Sequence, residues 1–406
     1  MQFKMYSKDI LSVTAAFGLL SGVAALSCSD TTVTINSQGD ATAAAACSTI
    51  KGDVVLGSGA GPTIDLGGQL SKIGGSLTAE SNGLIQTLQS SSLQSIGNTF
   101  KLFNLTALNT LNFPELGSVG EIDWQTLNAL PEPTLGTPGI TSAQTVTISD
   151  TFLQNIDGIN VQSLASLTLS ENRRLSTFTS SIKTLSDVML VTANGLNLTM
   201  ELPNLLWAAN LTISNVSSIS IPSLATINGS IRFDSSYFNN FAAPNLTDIQ
   251  QGDLSFVSCP YVTNISFPQL TKIGGGLTIA NNTGLEKVDG LNDLQQVGGA
   301  IIIRGSLDEI DLPSLNNVVG TATFISTGDI TSSCNTLEGL SGSVIQGTVT
   351  ACQSNNSAAN NDTTSAGGGD NSGSGSGGTS AASFARVSMP TLVSLAALGG
   401  LVAAFL

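Results

Sequence analysis

Pro268-Gln-Leu270-Thr-Lys-Ile273-Gly-Gly275-Gly-Leu277-Thr-Ile279 is followed by a polar Ala-Asn-Asn-Thr-Gly run and by Leu285, Val288 and Leu291. Then comes Leu294-Gln-Gln-Val297-Gly-Gly299-Ala-Ile301-Ile-Ile303, the same unit spelled again. Further copies carry Leu224, Ile227, Gly229, Ile231 and Phe233 after Pro222, and Leu246, Ile249, Gly252, Leu254 and Phe256 after Pro244. Pro313 opens one more, with Leu315, Val318, Gly320, Ala322 and Phe324. The units repeat roughly every 21 to 24 residues, inside the window of leucine-rich and related solenoids. In each, a pair such as Leu277 and Ile279 has period two, so both side chains leave the same face of a short strand. The glycine ahead of the pair suits a tight corner, because it tolerates positive φ and has no side chain to obstruct a neighbouring coil. One such coil cannot bury its apolar side alone; stacked coils share an interior and pair strand on strand. The predicted fold is mainly β, a parallel β-solenoid.

Outward from this stretch, the register extends towards both ends. Ile50, Gly52, Val54 and Leu56 read as the first coil, after Cys47. Leu70, Ile73, Gly75 and Leu77, then Leu93, Ile96, Phe100 and Leu102, then Leu116, Val119, Ile122 and Trp124 follow. Pro131, Pro133 and Pro138 interrupt the pattern, suggesting a longer loop or two halves split near 131–140. Val146 and Ile148, Leu167 and Leu169, Val188 and Leu190, and Leu211 and Ile213 resume it. About a dozen coils fit within residues 28–352, enough for a shared core without a partner.

The ends of the chain point to export. Lys4 and Lys8 precede an apolar run from Ile10 to Leu26 with small residues before Cys28, the layout of a signal peptide over 1–27. A membrane-spanning helix is the other reading, disfavoured because the run is short and interrupted by Ser, Thr and Gly. From Gln353 the composition turns to Asn, Ser, Thr, Gly and Ala, so 353–380 reads as a stalk that cannot bury enough surface to fold. A second apolar run ends the chain. With its spacer it makes 381–406 resemble the removable signal for a glycolipid (GPI) anchor, with Asn371, Ser376 and Gly377 as attachment candidates. A tail-anchored helix is the alternative, against which stand the N-terminal signal and the lack of a basic flank after the tail.

Sequons for N-glycosylation occur at Asn104, Asn197, Asn210, Asn215, Asn228, Asn245, Asn264, Asn281, Asn355 and Asn361. Some, such as Asn210 beside Leu211, lie next to core-facing residues, where crowding would hinder modification. Of the cysteines, Cys28 with Cys47 and Cys334 with Cys352 form two local pairs that would staple the terminal coils by disulfides. Cys259 is left over, either a small buried residue or an intermolecular bridge.

The chemistry is as informative for what it lacks. The chain has no histidine, which excludes Ser-His-Asp and Cys-His catalysis and removes the commonest metal ligand. No phosphate-cradling loop and no closely spaced cysteine pair of zinc type occurs, so no cofactor is expected. Carboxylates alone can hydrolyse glycans. The best cluster is Asp308, Glu309 and Asp311, with Glu286, Asp289 and Asp293 about one coil earlier; it could also hold calcium, or be solvated turn residues, the reading favoured here. With 28 acidic against 13 basic residues, nucleic acid and acidic lipid surfaces are poor partners. Trp124, Trp207, Tyr237 and Tyr261 could contact polysaccharide or serve packing.

Taken together, the Cys47-Ser-Thr-Ile50-Lys-Gly52-Asp-Val54 start, the Pro-x-Leu-x-x-Ile-x-Gly-x-Leu-x-Ile coils, the flanking cysteine pairs and the Ser/Gly/Asn tail resemble the fungal GPI-anchored cell-wall organisation proteins. That family includes sporulation-specific wall members, and its coils are similar to receptor L domains. The resemblance implies a non-enzymatic surface glycoprotein of the outer plasma-membrane leaflet and the wall, supporting wall integrity, with wall polysaccharide or wall proteins as partners. A receptor-like or adhesive module that binds a glycan or protein is the alternative, and a glycan-active β-helix enzyme a third reading.

Overall fold

A computed structural model describes residues 26–347 and 349–360. The expected signal up to Ala25, the sequon at Asn361, the attachment candidates Asn371, Ser376 and Gly377 and the apolar tail lie outside the described residues. The chain divides between Ser180 and Ser181 into two compact units, and each is a parallel β-solenoid.

In the first unit a coil consists of a short entry strand (Lys72–Ile73), a central strand (Leu77–Glu80) and a return strand (Thr87–Gln89). In the next coil entry and central strands run together as Ser95–Phe103, and the return strand is Thr110–Asn112. Each strand pairs in parallel with its counterpart one coil on: Lys72 with Ser95, Leu77 with Phe100, Thr87 with Thr110. Alternation sends Leu77, Ala79, Phe100, Leu102, Ile122 and Trp124 inward, all buried, while Thr78, Lys101 and Asp123 face out. The proline stretch lies within this unit: Pro133–Thr134 pairs with Leu111 and Asn112, and Ile140 bridges Ile159.

The second unit repeats the plan. Ile231, Leu254, Leu277, Ile301 and Ala322 form one column of the core and Phe233, Phe256, Ile279, Ile303 and Phe324 the next. Phe233 stacks on Phe256 at 4.8 Å and Phe241 meets Phe267 at 5.4 Å. Each such pair adds about 0.5–1.5 kcal/mol beyond its buried area. At one strand the expected register is off by one: Met189 and Val191, not Val188 and Leu190, face the core. Val188 to Val191 is a run of four apolar residues, which has no period of its own. Pairing of Met189 with Leu211 and Val191 with Ile213 decides it.

The terminal coils are capped. The register begins before Cys47 and not after it: Thr32–Ile35 pairs with Asp53–Leu56. Helix α1 (Gln38–Ala45) follows, its N-cap Ser37 accepting from the Asp40 N–H and its face burying Ala41, Ala44 and Ala45. Cys28 is bonded to Cys47 across this segment, with Cα atoms 5.7 Å apart. At the other end helix α2 (Thr331–Glu338) and the strand Val349–Gln353 close the stack, and Cys334 is bonded to Cys352. Beyond that strand, Asn360 Nδ2 donates to Ser306 Oγ at 2.9 Å and Ala359 is buried.

The two roles expected of the repeat glycine fall at different corners. A Cβ on Gly97 would lie 2.1 Å from the Gly74 carbonyl oxygen, and one on Gly252 2.2 Å from the Gly229 carbonyl carbon. Neither glycine has a φ in the left-handed region, so their use is close approach of coils alone. Left-handed backbone occurs after the central strand, at Ser81, Asn104, Glu171, Asn215, Ser258 and Asn281, with φ of 50–59° and no glycine among them. Asn and Asp tolerate this conformation; Ser and Glu adopt it because the stack imposes it.

Candidate functional site

After the left-handed residues the chain turns inward, and at Asn82, Asn172 and Asn282 a buried polar side chain holds the corner, where other coils place an apolar residue such as Leu105 or Val216. Asn282 is 1% exposed; its Nδ2 donates to the Phe256 carbonyl at 2.9 Å and its Oδ1 accepts from the Cys259 N–H at 2.8 Å. Asn172 does the same in the first unit, donating to the Ile148 carbonyl and accepting from the Thr151 N–H and hydroxyl. Asn82 donates to the Gly57 and Ala60 carbonyls. An apolar residue cannot answer these buried backbone groups, so the asparagines are fixed by hydrogen bonding. The sequence reading passed over them as part of a polar loop. Their signal was weak, an Asn directly after a turn residue (Ser81, Glu171, Asn281) at a position that other coils fill with Leu105, Val216 or Cys259.

Cys259 occupies this corner position. It is buried and free, and burial pushes its thiol up to about 11.

The sequons fall on several positions of the coil. Asn104, Asn215, Asn281 and Asn355 are the left-handed residues themselves. Asn197, Asn245, Asn264 and Asn355 are exposed; Asn104, Asn210, Asn215, Asn228 and Asn281 are half-buried. Several amides are engaged by the fold: Asn245 Nδ2 donates to the Pro222 carbonyl at 2.8 Å and Asn210 Nδ2 to the Asp187 carbonyl at 3.2 Å. Asn197 and Asn264 combine exposure with an amide that has no partner among the described residues.

The acidic residues stand on the surface, with Glu309, Asp289 and Asp308 all near enough to Lys287 to act on its charge. Glu286, Asp289, Asp293, Asp308 and Asp311 are exposed on the outside of the second unit. Glu309 pairs with Lys287 at 2.8 Å, which raises the lysine pKa through that hydrogen bond. Among the described residues no group of three or more metal-ligating side chains is assembled. Of the four aromatics, Trp124 is buried edge-on to Phe100 at 5.7 Å and Trp207 is half-buried. Tyr237 and Tyr261 come together at 6.1 Å on successive coils, with Tyr261 58% exposed.

A hollow of about 350 Å³ lies over the entry strands of the first unit. Its walls carry Lys72, Ser95, Ser118, Ser142 and Gln144, over a floor that includes Gly97 and Gly120. Lys72, Ser95, Ser118 and Ser142 follow one another in register, one per coil.

No family model and no solved structure matches the chain. Among curated proteins, Protein ecm33 of Aspergillus fumigatus is 36% identical over 352 residues, 86% of this chain and 85% of that one. Sporulation-specific protein 2 of Saccharomyces cerevisiae is 35% identical over 68% of this chain and 55% of its own length. A cell surface GPI-anchored protein of Arthroderma benhamiae is 33% identical over 78% and 81%. The similarity to ecm33 runs through nearly all of both chains, and this chain belongs to the fungal cell-wall protein family that includes ecm33 and the sporulation-specific proteins.

Proposed function

We propose that the chain is a non-enzymatic, GPI-anchored glycoprotein that supports organisation of the fungal cell wall from outside the cell. It resides at the outer leaflet of the plasma membrane and in the wall, the setting named for its relatives. The observation that carries this reading is the 36% identity to ecm33 along 86% of the chain. In this account residues 1–27 direct export, 353–380 link the solenoid to the anchor, their first part up to Asn360 packed on the last coils and not free as expected, an attachment residue is among Asn371, Ser376 and Gly377, and 381–406 are removed. Asn197 and Asn264 are the sequons best placed for glycan. The acids are exposed and Glu309 is held by Lys287, which supports a structural role over hydrolysis, a reaction that needs two carboxylates facing one bond. Deleting the gene should sensitise growth to a wall-binding dye, and restoring the wild-type chain should reverse it. Unchanged sensitivity would overturn the reading.

An adhesive module is a second reading, favoured by the pairing of half-buried Tyr237 with exposed Tyr261. Under it, replacing both tyrosines by alanine would abolish cell-to-cell adhesion while leaving dye resistance intact.

A further inference from the structure

We infer that the hollow over the entry strands of the first unit is a binding site for a neutral polysaccharide chain lying along the solenoid axis. The inference rests on the wall reading above and assigns its partner to a place.

The register supplies a ruler. Lys72, Ser95, Ser118 and Ser142 stand in one column, each paired with the next across the parallel sheet. Neighbouring parallel strands lie about 4.8 Å apart, so the column offers one polar group at each such step. A pyranose chain presents its hydroxyls at a comparable interval. The amine of Lys72, the three hydroxyls and the Gln144 side-chain amide make no hydrogen bond or ion pair with any other described residue, and all five residues line the hollow. At about 350 Å³ the space sits at the small end of ligand sites and suits a short stretch of sugar chain.

Other occupants fit less well. A peptide strand would need free backbone groups, yet those near the hollow are spent between coils: Asn98 N–H donates to Gly75, Ser118 and Ser142 N–H to Gln94 and Gly117, and Val119 N–H to Ser142. A folded protein partner is usually anchored by buried aromatic or arginine side chains, and the walls hold neither. An anionic polymer would meet a chain of net charge −15 with one lysine in the hollow. Within the first unit the single sequon, Asn104, follows the far end of the strand Ser95–Phe103 whose start lines the hollow.

The test uses the secreted, glycosylated chain with soluble linear β-glucan as probe and mannan and chitin oligosaccharides in parallel arms. Wild type should bind one of these neutral glycans reversibly. Gln144→Ala and Ser118→Ala should each weaken binding about two- to tenfold, the loss of one hydrogen bond. Ser142→Asn with Gln144→Thr creates a sequon at two exposed positions, and the sugar it carries should block the hollow and abolish binding. The same change reverted to Ser142→Asn alone, which carries no sequon, should bind again and so control for folding. Absence of binding to all three glycans, or binding undiminished with the added sugar in place, overturns the inference. The wall reading would survive either result if the chain still restored dye resistance.

Discussion

Replacing Asn282 by alanine should destabilise the second unit far more than its polar, loop-like sequence context suggests. The side chain is buried and spans two coils, answering the Phe256 carbonyl and the Cys259 N–H at 2.9 and 2.8 Å. Leaving a buried donor or acceptor without its partner costs about 1–3 kcal/mol, so the two together predict a loss of about 2–6 kcal/mol. In urea unfolding this should lower the midpoint by about 1 M or more. The variant keeps Asn281 and Thr283, so the sequon stays intact and glycosylation is held constant. Ser258→Gly is the control: the residue has a φ of 56° at the preceding corner, and glycine there should change stability by only about 0.5 kcal/mol. If Asn282→Ala shifts the midpoint no more than Ser258→Gly does, the corner asparagines are not what ties the coils together.

The glycines give opposite expectations at two sites. Gly252→Ala would press a methyl group into the Gly229 backbone and should cost about 1–3 kcal/mol or more by the same unfolding assay. Gly39→Ala, inside α1 and 3.4 Å from Ser37 Oγ, should stabilise by about 0.5–1 kcal/mol. Phe256→Ala, which removes a ring packed on Phe233, Phe241 and Phe267, should cost about 3–5 kcal/mol. Cys259 should resist a thiol reagent at pH 8 in the folded protein and react on denaturation. Its folded pKa of about 11 lies above the ordinary 9.0, so its contribution to stability is complete below pH 9 and is lost as pH rises towards 11. Cys259→Ala should flatten that alkaline decline.

The coil register was legible because it rests on two strong constraints, an apolar pair with period two and a repeat length that stacking must respect. Leu277 with Ile279 and Phe100 with Leu102 face the core as their alternation demands. Where alternation failed, at Val188 to Val191, only the neighbouring coil could decide the face. Helix α1 was missed because its alanines lie before the first glycine-marked unit and carry no apolar stripe of ordinary width. The corner asparagines were missed because a buried Asn and a solvated one look alike in sequence; partners in the preceding coil make the difference. The hollow was illegible for the same reason. Its serines are commonplace singly and form a column only when 23 or so residues are wound into each turn.

The central claim is that the chain is held at the surface by a lipid anchor and works in the wall. It is tested most directly by releasing the native protein from intact cells with a phosphatidylinositol-specific phospholipase or with glucanase. The account predicts release by one or both, the phospholipase reporting membrane residence and glucanase attachment to the wall. Release by detergent alone, with neither enzyme effective, would mean that the tail is a membrane helix and would contradict the account.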